Sequence, residues 1–246
     1  CEVSLIGFFQ TNLNSWDQKS WRAQSPFRRN PNDLLLPSWA IVHFSSMRGY
    51  LPSGPIKKSI DQILEATLLG QRDFGENIVQ EGIKKIQSCN RKDLVWHFIG
   101  YLQSNKTRPV AENFQWVHTI DRLKIATRLS EQRPDHAPDL NICIEVNIDG
   151  EDQKAGVIPD DVAKLARAIS TLPRLKLRGL MCLPAIRKSF EGQKKPFAKL
   201  RKIKDELNAD GLKLDTLSMG MTADYAAAIH EGATIVRIGT ALFGER

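Results

Sequence analysis

Two short stretches near the carboxyl end place small residues and hydroxyls where an anion could be gripped. Ser218, Gly220 and Thr222 form one, Gly239 and Thr240 the other, and Arg237 stands just before the second. Glycine lets an oxyanion approach the backbone, and N–H groups that open a helix present partial positive charge to it. A guanidinium adds a fixed cation suited to phosphate oxygens. The surrounding residues, LDTLSMGMTADYAAAIHEGATIVRIGTALFG, read as strand Leu214–Ser218, a turn over Met219–Thr222, helix Ala223–His230, strand Thr234–Ile238 and a turn at Gly239–Thr240. Two consecutive βα units ending this way fit the phosphate site that barrel enzymes build after their last two strands. Tight turns would account for either glycine cluster alone; the two together favour phosphate.

The elements that must position these residues alternate along the chain. Ser59–Leu69 patterns as an amphipathic helix with Ser59 as N-cap and Gly70 after its end. Strands are expected at Asp73–Gly75, Val95–Ile99, Trp116–Thr119, Leu140–Ile148 and Leu177–Leu183, besides the two already named. Helices are expected at Ile78–Ile86, Ser104–Asn113, Arg122–Glu131 and Pro159–Thr171, with a basic amphipathic helix around Lys194–Lys204. Apolar strand runs separated by helices imply a parallel sheet covered on both faces. Seven strands are visible, one short of an eightfold barrel, and the missing one falls near the amino end. The expected fold is a single-domain (β/α)8 TIM-type barrel, class α/β, with its first strand degraded or replaced. A doubly wound open sheet is the alternative, but no GxGxxG follows any strand.

Residues 1–56 differ in character from residues 57–246, which form the expected barrel domain. The first region holds Trp16, Trp21 and Trp39, with Pro52, Gly54 and Pro55 breaking any regular element before Lys57. Ser38–Phe44, SWAIVHF, patterns as a strand there, and Asn30–Leu36, NPNDLLL, as a turn entering a short one. So abrupt a change at Lys57 is what a shifted reading frame upstream would produce.

A chain of 246 residues with 41% hydrophobic and 26% charged residues describes an ordinary globule with a substantial core. The net charge of +7 invites a nucleic-acid reading, but 35 basic residues are set against 28 acidic ones and no recognition motif accompanies them. No nucleic-acid or membrane partner is therefore expected; no apolar run approaches the roughly 20 residues of a membrane span. Cys1, Cys89, Cys143 and Cys182 lie far apart without a CxxC pair, and no signal peptide is evident, so a reducing, cytoplasmic setting is expected.

In such a barrel the chemistry sits at the carboxyl ends of strands and in the loops that follow. Those positions are Glu76 and Asn77, His97 with Gly100, Gln103–Lys106, His118 with Asp121, Asn147, Met181, Ser218 and Arg237. They suit an anionic, hydrogen-bonding ligand above an apolar floor. His97 and His118 lack a third partner at metal-site spacing, so no metal is expected. His118 and Asp121 suit loop-fixing as well as catalysis, and no GxSxG, P-loop or HExxH is present.

Six blocks in order carry a resemblance: GENIVQEG (75–82), WHFIGYLQSNK (96–106), HTIDR (118–122), RGLMCLP (178–184), LSMGMTAD (217–224) and VRIGTALFG (236–244). Over about residues 57–246 the chain resembles the pyridoxal phosphate homeostasis proteins, single-domain relatives of the alanine racemase N-terminal barrel. The resemblance implies a barrel binding pyridoxal 5′-phosphate (PLP) without established turnover, hence no catalytic residue. It further implies a role in vitamin B6 and amino-acid homeostasis, PLP-dependent apo-enzymes as partners, and a monomer. On it, Ser218, Gly220, Gly239 and Thr240 would take the phosphate, Arg237 would lie at phosphate and ring, Met219 beside it, and Asn77 near the ring's polar edge.

One departure stands out. The family carries a Schiff-base lysine at the end of the first strand, in a motif like A-V-S-K-T-K; counting back from Gly70 puts that position at Ile56. Lys57 and Lys58 are the neighbouring candidates, and on a strand Lys58 would share the face of position 56 while Lys57 would not. Weakened or solely non-covalent binding is expected. The competing reading is an amino-acid racemase, which needs acid–base groups on both faces of the substrate carbanion. The relatives supply one from a second domain that is not seen here. A phosphate-sugar barrel enzyme is a more distant alternative.

Overall fold

The computed structural model describes residues 40–44 and 57–238. Its strands are β1 (Ala40–Phe44), β2 (Asp73–Glu76), β3 (Val95–Phe98), β4 (Trp116–Ile120), β5 (Leu140–Val146), β6 (Leu175–Cys182), β7 (Thr216–Met221) and β8 (Ile235–Ile238). The helices are α1 (Lys57–Leu68), α2 (Val79–Cys89), α3 (Thr107–Asn113), α4 (Leu123–Gln132), α5 (Pro159–Ser170), α6 (Phe190–Ala209) and α7 (Tyr225–His230). All strands pair in parallel with their sequence neighbours and β1 pairs with β8, closing the barrel.

Strand alternation decides which side chains meet. In β3, Trp96 and Phe98 belong to the continuous apolar core, while His97 between them faces the barrel interior, where it reaches β4. Phe74, Val117, Ile142, Ile144, Leu180, Leu217 and Val236 join that core, packed against helix residues such as Val110, Ile125, Val162, Phe197 and Ala227. Phe98 meets Phe114 edge-on with ring centroids 5.6 Å apart, a favoured aromatic geometry. Local signals set the helix ends. Helix α5 opens with Pro159, Asp160 and Asp161 and carries Arg167 in its last turn, matching its macrodipole at both ends. The Ser189 hydroxyl caps α6 by accepting from the Gly192 N–H at 3.1 Å.

One sequence expectation is met and two change. The first strand is replaced by Ala40–Phe44, within the Ser38–Phe44 run that patterns as a strand, and it pairs Val42 with Phe74 and His43 with Gly75 on one side and Ile41 with Arg237 on the other. The sheet therefore has no pair of open edges there. Helix α1 begins at Lys57 rather than Ser59, so Lys57 and Lys58 open a helix and strand alternation does not apply to them. Strand β7 continues to Met221 through residues expected to turn. Gly220, at φ +93°, sits where the register between β7 and β8 shifts, and the pairing resumes at Met221 with Arg237. A side chain there would be strained, and its Cβ would lie 2.6 Å from the Cβ of Ala228 in α7.

Candidate functional site

The barrel interior is polar where most barrels are filled with branched aliphatic residues. The Asp73 carboxylate, at the start of β2, lies 3.0 Å from His97 Nε2. His97 Nδ1 is 2.9 Å from His118 Nε2, and His118 Nδ1 is 2.8 Å from the Ser218 Oγ. Arg237 Nη1 donates to that same hydroxyl oxygen at 2.6 Å and to the Ser218 carbonyl at 2.9 Å, and Nη2 donates to the Cys182 carbonyl at 3.0 Å. Five residues from β2, β3, β4, β7 and β8 thus form one chain through the interior. Burial holds both imidazoles below their ordinary value; for His118, its neighbours His97 and Arg237 push the same way. Among the described residues Arg237 has no carboxylate in ion-pair contact, only carbonyl and hydroxyl acceptors, so its charge remains to be matched.

Below this chain Arg178 closes the amino-terminal end of the barrel, its guanidinium 4.9 Å from the Trp116 ring centroid and bonded to Asn141 and Asp215. Above it, a cavity of about 340 Å³ opens at the carboxyl-terminal mouth, lined by Tyr101, Thr119, Glu145, Asn147, Lys154 and Leu183 among others. The mouth loops are tied together: Asp149, after β5, accepts from the Ala185 N–H at 2.6 Å and from Arg187 at 2.5 Å. Glu145 is 6% exposed, and its carboxyl makes no hydrogen bond or ion pair with a described residue. Burial, and then the nearby Asp121, push its carboxyl up to about 7, against the pull of Arg237.

The site residues expected from the sequence are placed differently from one another. Ser218 and Arg237 come together inside the barrel, but the Ser218 side chain is wholly buried and already engaged by His118 and Arg237. Asn77 follows β2 near the mouth, where its Oδ1 is buried and has no partner among the described residues. Its carbonyl oxygen occupies the space a side chain on Gly100 would need. The side chain of Met219, expected beside Arg237, belongs to the apolar core between strands and helices. It follows Ser218 on the opposite face of β7, so only its backbone is available to the interior. Gly220 is explained by its backbone conformation and the approach of α7. Gly239 and Thr240 lie outside the described residues, as does Ile56; Lys57 and Lys58 lie in the first turn of α1.

Other candidates play parts different from those expected. Glu76 faces α2 and forms a buried ion pair with Lys85. His118 fixes no loop; it is the middle of the interior chain, while Asp121 pairs with Arg122 at 2.7 Å. Asp73 was missed because it stands at the start of a strand, the end opposite the expected chemistry. One signal for it was available: Asp73, Gly75, His97 and His118 are polar or small positions alternating with Phe74, Trp96 and Val117. Among the described residues no group of three or more His, Cys, Asp or Glu could hold a metal ion, and no helix is long and apolar enough to cross a membrane.

Comparison with known proteins bears on this arrangement. The family described as alanine racemase, N-terminal domain, matches residues 58–246. A pyridoxal phosphate homeostasis protein of Pseudomonas aeruginosa is 56% identical over 184 residues, 75% of this chain and 79% of that one. One of Haemophilus influenzae is 50% identical over 241 residues, 96% of this chain and 95% of that one. Among solved structures, PipY of Synechococcus elongatus PCC7942 with PLP bound superposes with a TM-score of 0.73 at 33% identity, covering 92% of this chain and 97% of that one. An alanine racemase of Clostridium difficile 630 shares the fold, with a TM-score of 0.68 at 14% identity over 88% of this chain and 55% of the racemase.

Proposed function

The chain belongs to the alanine racemase N-terminal domain family, alongside proteins named pyridoxal phosphate homeostasis protein, and we propose that it binds PLP and serves vitamin B6 and amino-acid homeostasis. The observation that carries this reading is Arg237, a buried cation held only by neutral acceptors among the described residues beneath the barrel mouth. The residues fit the cofactor on a second count. The orphaned Asn77 Oδ1 supplies an acceptor that a ligand hydroxyl or ring N–H would satisfy, and burying it without one is costly. When bound, the cofactor supplies an aldehyde reactive toward amines and a phosphate monoester carrying negative charge. Arg237 offsets that charge from within the barrel, Asn77 orients the polar edge, and Gly239 and Thr240 offer backbone and hydroxyl donors to the phosphate. Ser218 acts through Arg237, since its own hydroxyl is engaged.

Binding is proposed to be chiefly non-covalent. The segment that forms the first strand, AIVHF, contains no lysine, and Lys57 and Lys58 open α1. Storage or delivery of the cofactor, rather than turnover, then follows, with PLP-dependent apo-enzymes as recipients. A monomer in the cytoplasm is the matching form, and the buried, free thiols of Cys89, Cys143 and Cys182 suit a reducing setting. Titration of the purified chain with PLP tests the reading, followed by borohydride reduction and peptide mass mapping. Saturable binding without a lysine-labelled peptide is expected. A well-folded chain indifferent to PLP would overturn the function, and a labelled Lys57 or Lys58 would overturn the non-covalent mode. Racemisation of L- or D-alanine by the PLP-loaded chain would favour the enzyme reading.

A further inference from the structure

The interior chain has polar ends that admit one direction only. Arginine nitrogens donate and never accept, and an ionised carboxylate accepts and never donates. Between Arg237 and Asp73 stand three groups, the Ser218 hydroxyl and the imidazoles of His118 and His97, each contacting one neighbour on either side. Each neutral imidazole has one N–H and one lone pair. His97 must therefore donate from Nε2 to Asp73, leaving Nδ1 to accept from His118 Nε2–H. His118 Nδ1 is then an acceptor, so the Ser218 hydroxyl donates to it and keeps its lone pairs for Arg237. Reversing any link sets two lone pairs, or two hydrogens, against each other in a buried site.

We propose that Asp73 and His97 are positioning residues for Arg237, acting from the amino-terminal end of the barrel through His118 and Ser218. The carboxylate commits the Ser218 proton to His118, and the hydroxyl oxygen thus freed, with the carbonyls of Ser218 and Cys182, pins the guanidinium. Without the carboxylate His97 loses its orienting acceptor, and both imidazoles can change tautomer. His118 Nδ1–H then takes one lone pair of that hydroxyl oxygen and leaves the Ser218 proton without its acceptor, so the hydroxyl turns away from the orientation that holds Arg237. Burial keeps both rings neutral, as the chain requires. Asp73 itself is about a quarter exposed, so its replacement leaves no large cavity. The link to ligand binding rests on the reading that Arg237 serves the anionic cofactor; the link to Arg237 does not.

Long-range 15N–1H correlation on the ligand-free chain decides the first link. His97 and His118 are both expected as single Nε2–H tautomers, with Arg237 Nη signals slowed by restrained rotation. His118 as the Nδ1–H tautomer would overturn the proposal. In Asp73→Ala, mixed tautomers and faster Arg237 rotation are expected. In Asp73→Asn, whose amide oxygen still accepts, both should return toward the unaltered pattern. Unchanged tautomers and Arg237 dynamics in folded Asp73→Ala would also overturn it. Should that variant fail to fold, the tautomers of the unaltered chain and of His97→Gln still decide. PLP titration reads the second link: Asp73→Ala should bind about 10-fold more weakly, the scale of losing a charge-assisted hydrogen bond, and Asp73→Asn nearly normally. Unaltered affinity in Asp73→Ala, with its tautomers mixed, would overturn the positioning of a ligand. An unaltered chain that takes no PLP would sink the functional reading while leaving the NMR result to judge the chain.

Discussion

The two faces of the barrel strands are built on opposite principles. Outward, Phe74, Trp96, Phe98, Val117 and Leu217 meet the helices in an apolar layer whose contacts are numerous and non-directional. Inward, across the same strands, Asp73, His97, His118, Ser218 and Arg237 meet through single hydrogen bonds that each require one donor and one acceptor. Burial of the outer layer stabilises by area, at about 25 cal/mol per Å². The inner chain gains little net stability per bond and is costly to leave half-made. The outer layer therefore makes the barrel stand, and the inner chain makes it specific.

The contrast predicts different consequences for comparable mutations. Phe114→Ala, a wholly buried ring packed on Phe98, should lose about 3–5 kcal/mol of stability in urea unfolding, with the PLP affinity of the folded fraction unchanged. Loss of affinity in proportion to stability would show that the two faces are not separable. His118→Ala should cost less, about 2–3 kcal/mol for the stranded groups on either side, yet should disturb PLP binding, read by titration of the folded variant. If it behaved like Phe114→Ala, destabilised but with normal affinity, the interior chain would be mere packing.

A smaller effect separates the faces by pH. His97 and His118 sit below their ordinary value of 6.5, so the unfolded chain binds protons that the fold rejects. Their contribution to stability is present above about pH 6.5 and is lost as pH falls. Glu145, raised from 4.5 to about 7 by burial and Asp121, has the opposite sign: the fold keeps a proton the unfolded chain releases, and stability falls as pH rises between those values. The two partly cancel in the unaltered chain. Glu145→Gln should remove one opposing part, leaving that of Glu76, which burial also pushes up to about 7, so thermal stability should climb more steeply between about pH 5 and 7. An unchanged profile would mean that Glu145 is ionised and partnered in solution.

Much of the outer face could be read without coordinates, because alternation and helix periodicity are local. The order of strands and helices from Asp73 to Ile238 follows from apolar runs and Pro159, with boundaries shifted by only a few residues. Gly220 was misplaced into a turn because a glycine-bearing bulge and a glycine-bearing turn look alike until the partner strand is known. The first strand was visible only as a short apolar run at Ser38–Phe44, followed by Pro52 and Pro55. Local pattern cannot say that such a run spans the gap between β2 and β8, since that gap is made by the ends of a closed sheet.

Arg237 and Ser218 could likewise be marked from residue type and position at strand ends. Their joint use could not, because His118 and Ser218 are 100 residues apart and only closure of the barrel brings them within a hydrogen bond. From its residues alone this chain determined an alternating α/β architecture and a carboxyl-terminal region suited to an anion, both set by local stereochemistry and side-chain chemistry. Only the tertiary structure decided that Met219 faces the core, that Ser218 accepts from Arg237, and that Asp73 terminates the interior chain. Those facts depend on which strand faces meet across a closed barrel, and hydrogen bonds act only at contact distance.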